Sequence, residues 1–152
     1  MNPPMMNLPK YVPPATTVRA LIAQHARTQP DAVFAMFPET QAELSYKALE
    51  QEVQQYAAQF YALGLAQGDT VSYMMGNGRS ALVLFLSALY AGLIVSPLNP
   101  AAGPEQITYV LQHSDTKLVF VSPNFKAVVD QAQSASAIAI PTVECDEDCG
   151  PV

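Results

Sequence analysis

The chain has 152 residues, half of them hydrophobic, which is enough for one domain with a real core and excludes an intrinsically disordered protein. Its net charge of −6, with seven Lys and Arg in all, leaves no basic stripe with which to grip nucleic acid or an anionic membrane. Two cysteines, Cys145 and Cys149, both close to the last residue, rule out a disulfide framework and make a reducing cytoplasm the expected compartment.

Residues 1–16 read as an irregular arm, because MNPPMMNLPKYVPP has neither a basic start nor a continuous apolar stretch and so is neither signal peptide nor anchor. From Thr17 the pattern is helical, with Val18, Leu21, Ile22 and His25 on one stripe and Thr16 or Thr17 as cap. His25 has no carboxylate or cysteine beside it in sequence, which favours a half-buried helix-face histidine over a catalytic base. Ala32 to Phe37 and Glu43 to Ser45, around the polar turn Pro38-Glu39-Thr40-Gln41, predict a small β-hairpin.

Ser45 is placed to cap the next helix, with Leu44 and Leu49 as a hydrophobic staple. That helix should bury Leu49, Val53, Tyr56, Ala57 and Phe60 and turn Glu50, Glu52, Gln54 and Gln55 largely outward as a solvated face. The stretch from Leu63 to Pro100 then reads as one βαβ unit. Thr70 to Met75 is a strand, Gly76-Asn77-Gly78 breaks it, Ala81 to Ala91 is a buried helix closed by Gly92, and Leu93 to Val95 is a second strand ended by Pro97. The apolar run from Ala81 to Leu98 approaches the ~18 residues of a membrane span, but Gly92, Ser96 and Pro97 divide it into helix and strand.

Gly103-Pro104-Glu105 opens a helix whose buried stripe is Ile107, Val110 and Leu111, with His113 suited to its last carbonyls in a structural role. Lys117 to Val121 is a strand, Ser122-Pro123 resets the chain into a helix bearing Phe125, Val128, Val129 and Ala132, and Ile138 to Val143 is a further strand. Alternation of strand and helix requires right-handed crossovers, so the predicted fold is α/β: an open, mainly parallel sheet with flanking helices over residues 17–143, plus the hairpin near the N-terminus. Residues 144–152 are expected to be an acidic, solvated tail.

Open sheets of this kind bind ligands beyond the carboxyl ends of their strands, here near Gly76-Asn77-Gly78, Pro97-Leu98-Asn99 and Ser122-Pro123-Asn124. Gly76-Asn77-Gly78-Arg79-Ser80 leads into a helix N-terminus and could hold an anion beside Arg79, but its spacing is neither GxGxxG nor a P-loop, so a plain capped turn is the better reading. The tail Cys145-Asp146-Glu147-Asp148-Cys149 lacks the second ligand pair of a zinc site. Ser and Thr residues have no base nearby to activate them. The residues therefore indicate a ligand-binding location without a catalytic constellation, and none is assigned as a catalytic, cofactor-binding or metal-binding residue.

Three stretches carry a resemblance: TVRALIAQHARTQPDAVFAMF, LSYKALEQEVQQYAAQFYALGLAQGDTVSYMMGN and SALYAGLIVSPLNPAAGPEQITYVLQHSDTKLVFVSP. Together they resemble the opening segment of the AMP-forming acyl-CoA synthetases, within the wider family of adenylate-forming enzymes. Asn77 and Pro97-Leu98-Asn99-Pro100 match the family in place, whereas Gly78-Arg79-Ser80 departs from its small-or-Pro then acidic residue. The resemblance implies a parent acid–CoA ligase that uses ATP, Mg2+ and CoA to activate a carboxylic acid. The family's phosphate loop, nucleotide contacts and catalytic Lys have no matching position here, so none of these ligands is expected to bind this chain specifically. The implied partners are the rest of the synthetase, namely the second subdomain and C-terminal domain, with self-association through an exposed sheet edge as a further expectation and no nucleic acid. An amino-acid-activating adenylation domain and a free-standing binding module are the alternatives.

Overall fold

The computed structural model describes residues 15–136, 139–146 and 150–151. Helix α1 (Val18–Thr28) starts at Thr17, whose Oγ1 accepts the Ala20 amide at 3.1 Å. The hairpin follows as β1 (Val33–Phe37) and β2 (Ala42–Ser45), antiparallel and separate from the main sheet. Ser45 Oγ then accepts the Ala48 amide at 3.2 Å and opens α2 (Tyr46–Ala62). The five residues predicted for the inward face of α2 are the five it buries, and Leu44 and Leu49 are both buried beside its first turn.

The central unit is β3 (Thr70–Met74), α3 (Arg79–Ala91) and β4 (Ile94–Pro97). Helix α3 begins two residues before its apolar run because Arg79 and Ser80 form its first turn. Gly92 ends it with φ of 78°, letting Leu93 N–H reach back to the Ala88 carbonyl at 2.9 Å. A side chain there would be strained, and its Cβ would meet Gln67 Cγ at 3.1 Å. The remaining elements are α4 (Pro104–His113), β5 (Thr116–Val121), α5 (Pro123–Ser136), β6 (Thr142–Asp146) and the two-residue β7 (Gly150–Pro151).

Strand order is β4-β3-β5-β6-β7, with β4 to β6 parallel and β7 antiparallel to β6. Alternate side chains of one strand face opposite layers, and the core divides accordingly. Val71, Leu118, Phe120 and Cys145 pack under α1, α2 and α3, whereas Met74, Val119 and Val121 pack under α4 and α5. Phe60 of α2 meets Phe120 edge to face at 5.6 Å. Between β3 and β5, the buried hydroxyls of Ser72 and Thr116 satisfy each other at 2.6 Å.

Strand β6 corrects the sequence reading. Residues 139–141 are not strand, Ile138 lies outside the described residues, and β6 instead covers Thr142–Asp146. Val143 and Cys145 point inward and Glu144 and Asp146 outward, so the start of the supposed solvated tail is sheet, with Cys145 only 3% exposed. At the other margin, β4 is short and carries Pro97 opposite Tyr73. The Ile94 and Leu98 amides are spent on the Asp69 and Tyr73 carbonyls of the β3 side. Alternation then leaves Val95 as the one outward-facing amide donor within β4, since Pro97 has none.

Candidate ligand cleft at the strand ends

Three parallel strands finish at the same rim. The Leu98 amide donates to the Tyr73 carbonyl at 2.8 Å and the Ser122 amide to the Met74 carbonyl at 3.0 Å, which brings the ends of β4 and β5 level with the end of β3. Beyond β4 the chain turns on Asn99, whose Oδ1 accepts the Ala101 amide at 3.0 Å while its carbonyl accepts the Ala102 amide at 2.9 Å. Beyond β5, the Phe125 amide donates to the Ser122 carbonyl at 3.0 Å as α5 begins.

These turns enclose an open cleft of about 500 Å³. Tyr73, Met75, Gly76 and Asn77 form its β3 side, Pro97, Leu98, Asn99 and Pro100 its β4 side, and Phe125 reaches it from α5. Two of the three loops expected at the rim therefore meet here. The third does not: Ser122 is buried, Pro123 and Asn124 are not among the lining residues, and the α5 contribution comes from Phe125. Tyr73 and Phe125 were legible as strand and helix-core residues, and only the rule that strand ends converge points to their second role.

Every lining residue is uncharged. Arg79, the basic residue of the adjoining loop, forms an ion pair with Glu52 of α2. That pair corrects the reading of Glu52 as a solvated carboxylate, and it commits the guanidinium that would otherwise attend an anion at the start of α3. One turn along α2, burial pushes the Tyr56 hydroxyl pKa upward, with Cys145 and Glu52 adding to the effect. Burial also raises the Tyr73 pKa, so its phenol is neutral at physiological pH.

Neither histidine approaches the cleft. His25 is half-buried, stacks on Tyr46 with ring centres 4.8 Å apart, and its Nδ1 lies 2.7 Å from Gln29 Nε2. His113 is exposed on α4, stacks on Tyr109 and hydrogen-bonds the Tyr109 carbonyl through Nδ1 at 2.8 Å. Cys145 cannot join a surface metal site from the core, where burial pushes its thiol pKa up to about 11. Among the described residues no group of three or more His, Cys, Asp or Glu can hold a metal ion, and no helix is long and apolar enough to cross a membrane. Cys149 lies outside the described residues. The donor set of the cleft does not fit a metal–triphosphate complex, which demands charge neutralisation.

Comparison with known proteins agrees with this fold. The sequence profile of the AMP-binding enzyme family matches residues 22–149. Sulfoacetate–CoA ligase of Cupriavidus necator is 34% identical over 127 residues, a match that takes in 84% of this chain and 25% of the ligase. The uncharacterized protein Rv1549 of Mycobacterium tuberculosis is 29% identical over 136 residues, covering 90% of this chain and 75% of that protein. The solved fatty acyl CoA synthetase of Mycobacterium tuberculosis shares the fold with a TM-score of 0.78 at 23% identity, over 86% of this chain and 27% of the synthetase. The chain thus spans about a quarter of the ligase it matches, and its profile match over most of its length establishes that it belongs to the AMP-binding, adenylate-forming enzyme family.

Proposed function

We propose that this chain is the N-terminal part of the AMP-binding domain of an acid–CoA ligase and is not catalytically competent alone. The observation that carries the reading is the 34% identity to sulfoacetate–CoA ligase over 127 residues, 84% of this chain. In the proposed reaction a carboxylate oxygen attacks the α-phosphorus of ATP and pyrophosphate leaves. The CoA thiol then attacks the acyl carbon, and AMP leaves as the thioester forms. Bringing two anions together requires cationic and backbone donors aimed at the phosphates. This chain offers instead an uncharged wall at the strand ends, with Arg79 tied to Glu52. Its partner is accordingly the rest of the synthetase, which would supply the phosphate-binding groups.

The test is pyrophosphate release by the 152-residue chain and by the longest product of the same locus, over a panel including sulfoacetate and a fatty acid series. Release by the longer product together with silence from the short chain is the expected result. Turnover by the short chain, or a longer product inert towards every acid, refutes it. The coverage of three quarters of Rv1549 favours a second reading, a free-standing α/β module that binds a ligand or protein without catalysis. For that reading the native product runs at 16.4 kDa on an immunoblot, where the ligase reading requires a band several times larger.

A further inference from the structure

The segments that leave β3, β4 and β5 each carry an asparagine, and the residue that follows it differs in all of them. Asn99 precedes Pro100, which has no N–H, and its Oδ1 already accepts the Ala101 amide. Asn124 precedes Phe125 inside α5, and the Phe125 amide is spent on the Ser122 carbonyl at 3.0 Å. Asn77 precedes Gly78. It is exposed, and its side chain hydrogen-bonds no other described residue. The Gly78 amide donates to no described residue either; only its carbonyl is engaged, by the Leu82 amide at 3.2 Å.

A side-chain amide and the next backbone N–H, both partnered by water alone, are the two reactants of an intramolecular imide closure. Held in adjacent residues, they meet at high effective concentration. Glycine removes the obstacle that a neighbouring Cβ would raise to the approach. Residues 75–78 belong to neither β3 nor α3, and α3 starts without a side-chain cap, so neither group is tied into a helix end.

We propose that Asn77 is a site of spontaneous modification, converted by water from a neutral amide to a carboxylate on the rim of the strand-end cleft. The Gly78 nitrogen attacks Asn77 Cγ. The new N–Cγ bond forms, the Cγ–Nδ2 bond breaks, and ammonia leaves with the proton that the Gly78 nitrogen gives up. Water then opens the cyclic imide, its hydroxyl going to a carbonyl carbon and its other proton to the Gly78 nitrogen. Opening at Cγ restores the backbone and leaves aspartate; opening at the main-chain carbonyl carbon routes the backbone through Cγ and leaves isoaspartate. Nothing is oxidised or reduced. Either product adds a negative charge to a chain already at −6 and puts it in a lining that is otherwise uncharged. The amino end of α3 beside it favours an anion, so the fold should survive while the charge of the wall changes as the protein ages. The proposal is independent of the ligase reading, and no outcome of the pyrophosphate assay bears on it.

The experiment incubates the 152-residue chain at neutral pH in water labelled with heavy oxygen and follows it by isoelectric focusing and peptide mapping. An acidic species should accumulate, with the label at residue 77 in a mixture of aspartate and isoaspartate, while Asn99 and Asn124 keep their amides. Conversion should run within about tenfold of its rate in the urea-unfolded chain, because an exposed, unbonded loop adds little to the barrier. Gly78 stands at φ of 179°, extended backbone that alanine also adopts, so Gly78→Ala should slow conversion at least about tenfold with the circular dichroism unchanged. Asn77→Gln, an exposed change whose longer side chain must close a larger ring, should remove the acidic species. An Asn77 that keeps its amide in the folded chain while the unfolded chain converts overturns the inference. Equal conversion at Asn99 or Asn124 overturns it too, as does an acidic species that persists in Asn77→Gln.

Discussion

The parallel sheet and the N-terminal hairpin begin from similar sequence and end in different surroundings. TVSYM of β3 and TKLVFV of β5 are buried at nearly every position, because helices cover both faces of the sheet. VFAMF of β1 is at least as apolar, yet Val33 is 46% and Met36 69% exposed. Phe34, Ala35 and Phe37 pack against the core beside α2, and the opposite face of the hairpin has no layer over it among the described residues. The difference shows that a short apolar run specifies a strand but not how many of its faces are covered. That depends on which elements the topology lays across it.

Substitutions in the two regions should separate accordingly. The largest effect is expected for Phe60→Ala, which empties the space against Phe120 beneath the sheet and should cost about 3–5 kcal/mol by denaturant unfolding. A loss below about 1 kcal/mol would mean the sheet core is no better packed than the hairpin. Gly92→Ala, forced into φ of 78° and against Gln67, should cost roughly 1–2 kcal/mol, because that turn sets the entry of β4.

Alkaline titration probes the same layer. The Cys145 thiol is raised by burial from 9.0 to about 11, so the folded protein holds that proton more tightly than the unfolded chain. This contribution is fully present below pH 9 and declines as pH rises towards 11. The denaturation midpoint should fall across that window, and Cys145→Ala should flatten the fall; an unaltered slope in the variant would place the titrating group elsewhere. The Glu52–Arg79 pair is partly solvated, and Glu52→Gln should cost at most about 1 kcal/mol, less at high salt. Met36→Gln on the uncovered hairpin face should change stability by no more than about 0.5 kcal/mol. A cost comparable to Phe60→Ala would show that the hairpin face is covered in solution.

Where local signals act alone, the sequence was sufficient. Ser45, Thr17 and Gly92 declare helix ends through chemistry within four residues, and each does in the structure what its neighbours implied. The cleft was legible as a place because strand ends follow from strand order, but its lining was not, since Tyr73 and Phe125 carry the same signature as core residues. The pairing of Arg79 with Glu52, 27 positions away, depends on how α3 sits on α2 and leaves no trace in spacing. Strand β6 was misplaced because the apolar run from Ile138 to Val143 reads across Pro141, after which the strand in fact begins, and the acidic residues that follow suggest a tail. The alternation of Val143 and Cys145 with Glu144 and Asp146 was the overlooked indication.

Pro97 has a consequence for the order of events in synthesis. Chains fold as they leave the ribosome, N-terminal portions first, and an unfinished parallel sheet is most exposed to wrong partners while the rest is still being made. A margin of four residues, with one outward amide and a proline, offers a passing strand little to pair with. In a ligase built as proposed, the first quarter of the polypeptide can close this side of its sheet early and wait, without templating aggregation along β4, for the three quarters that follow.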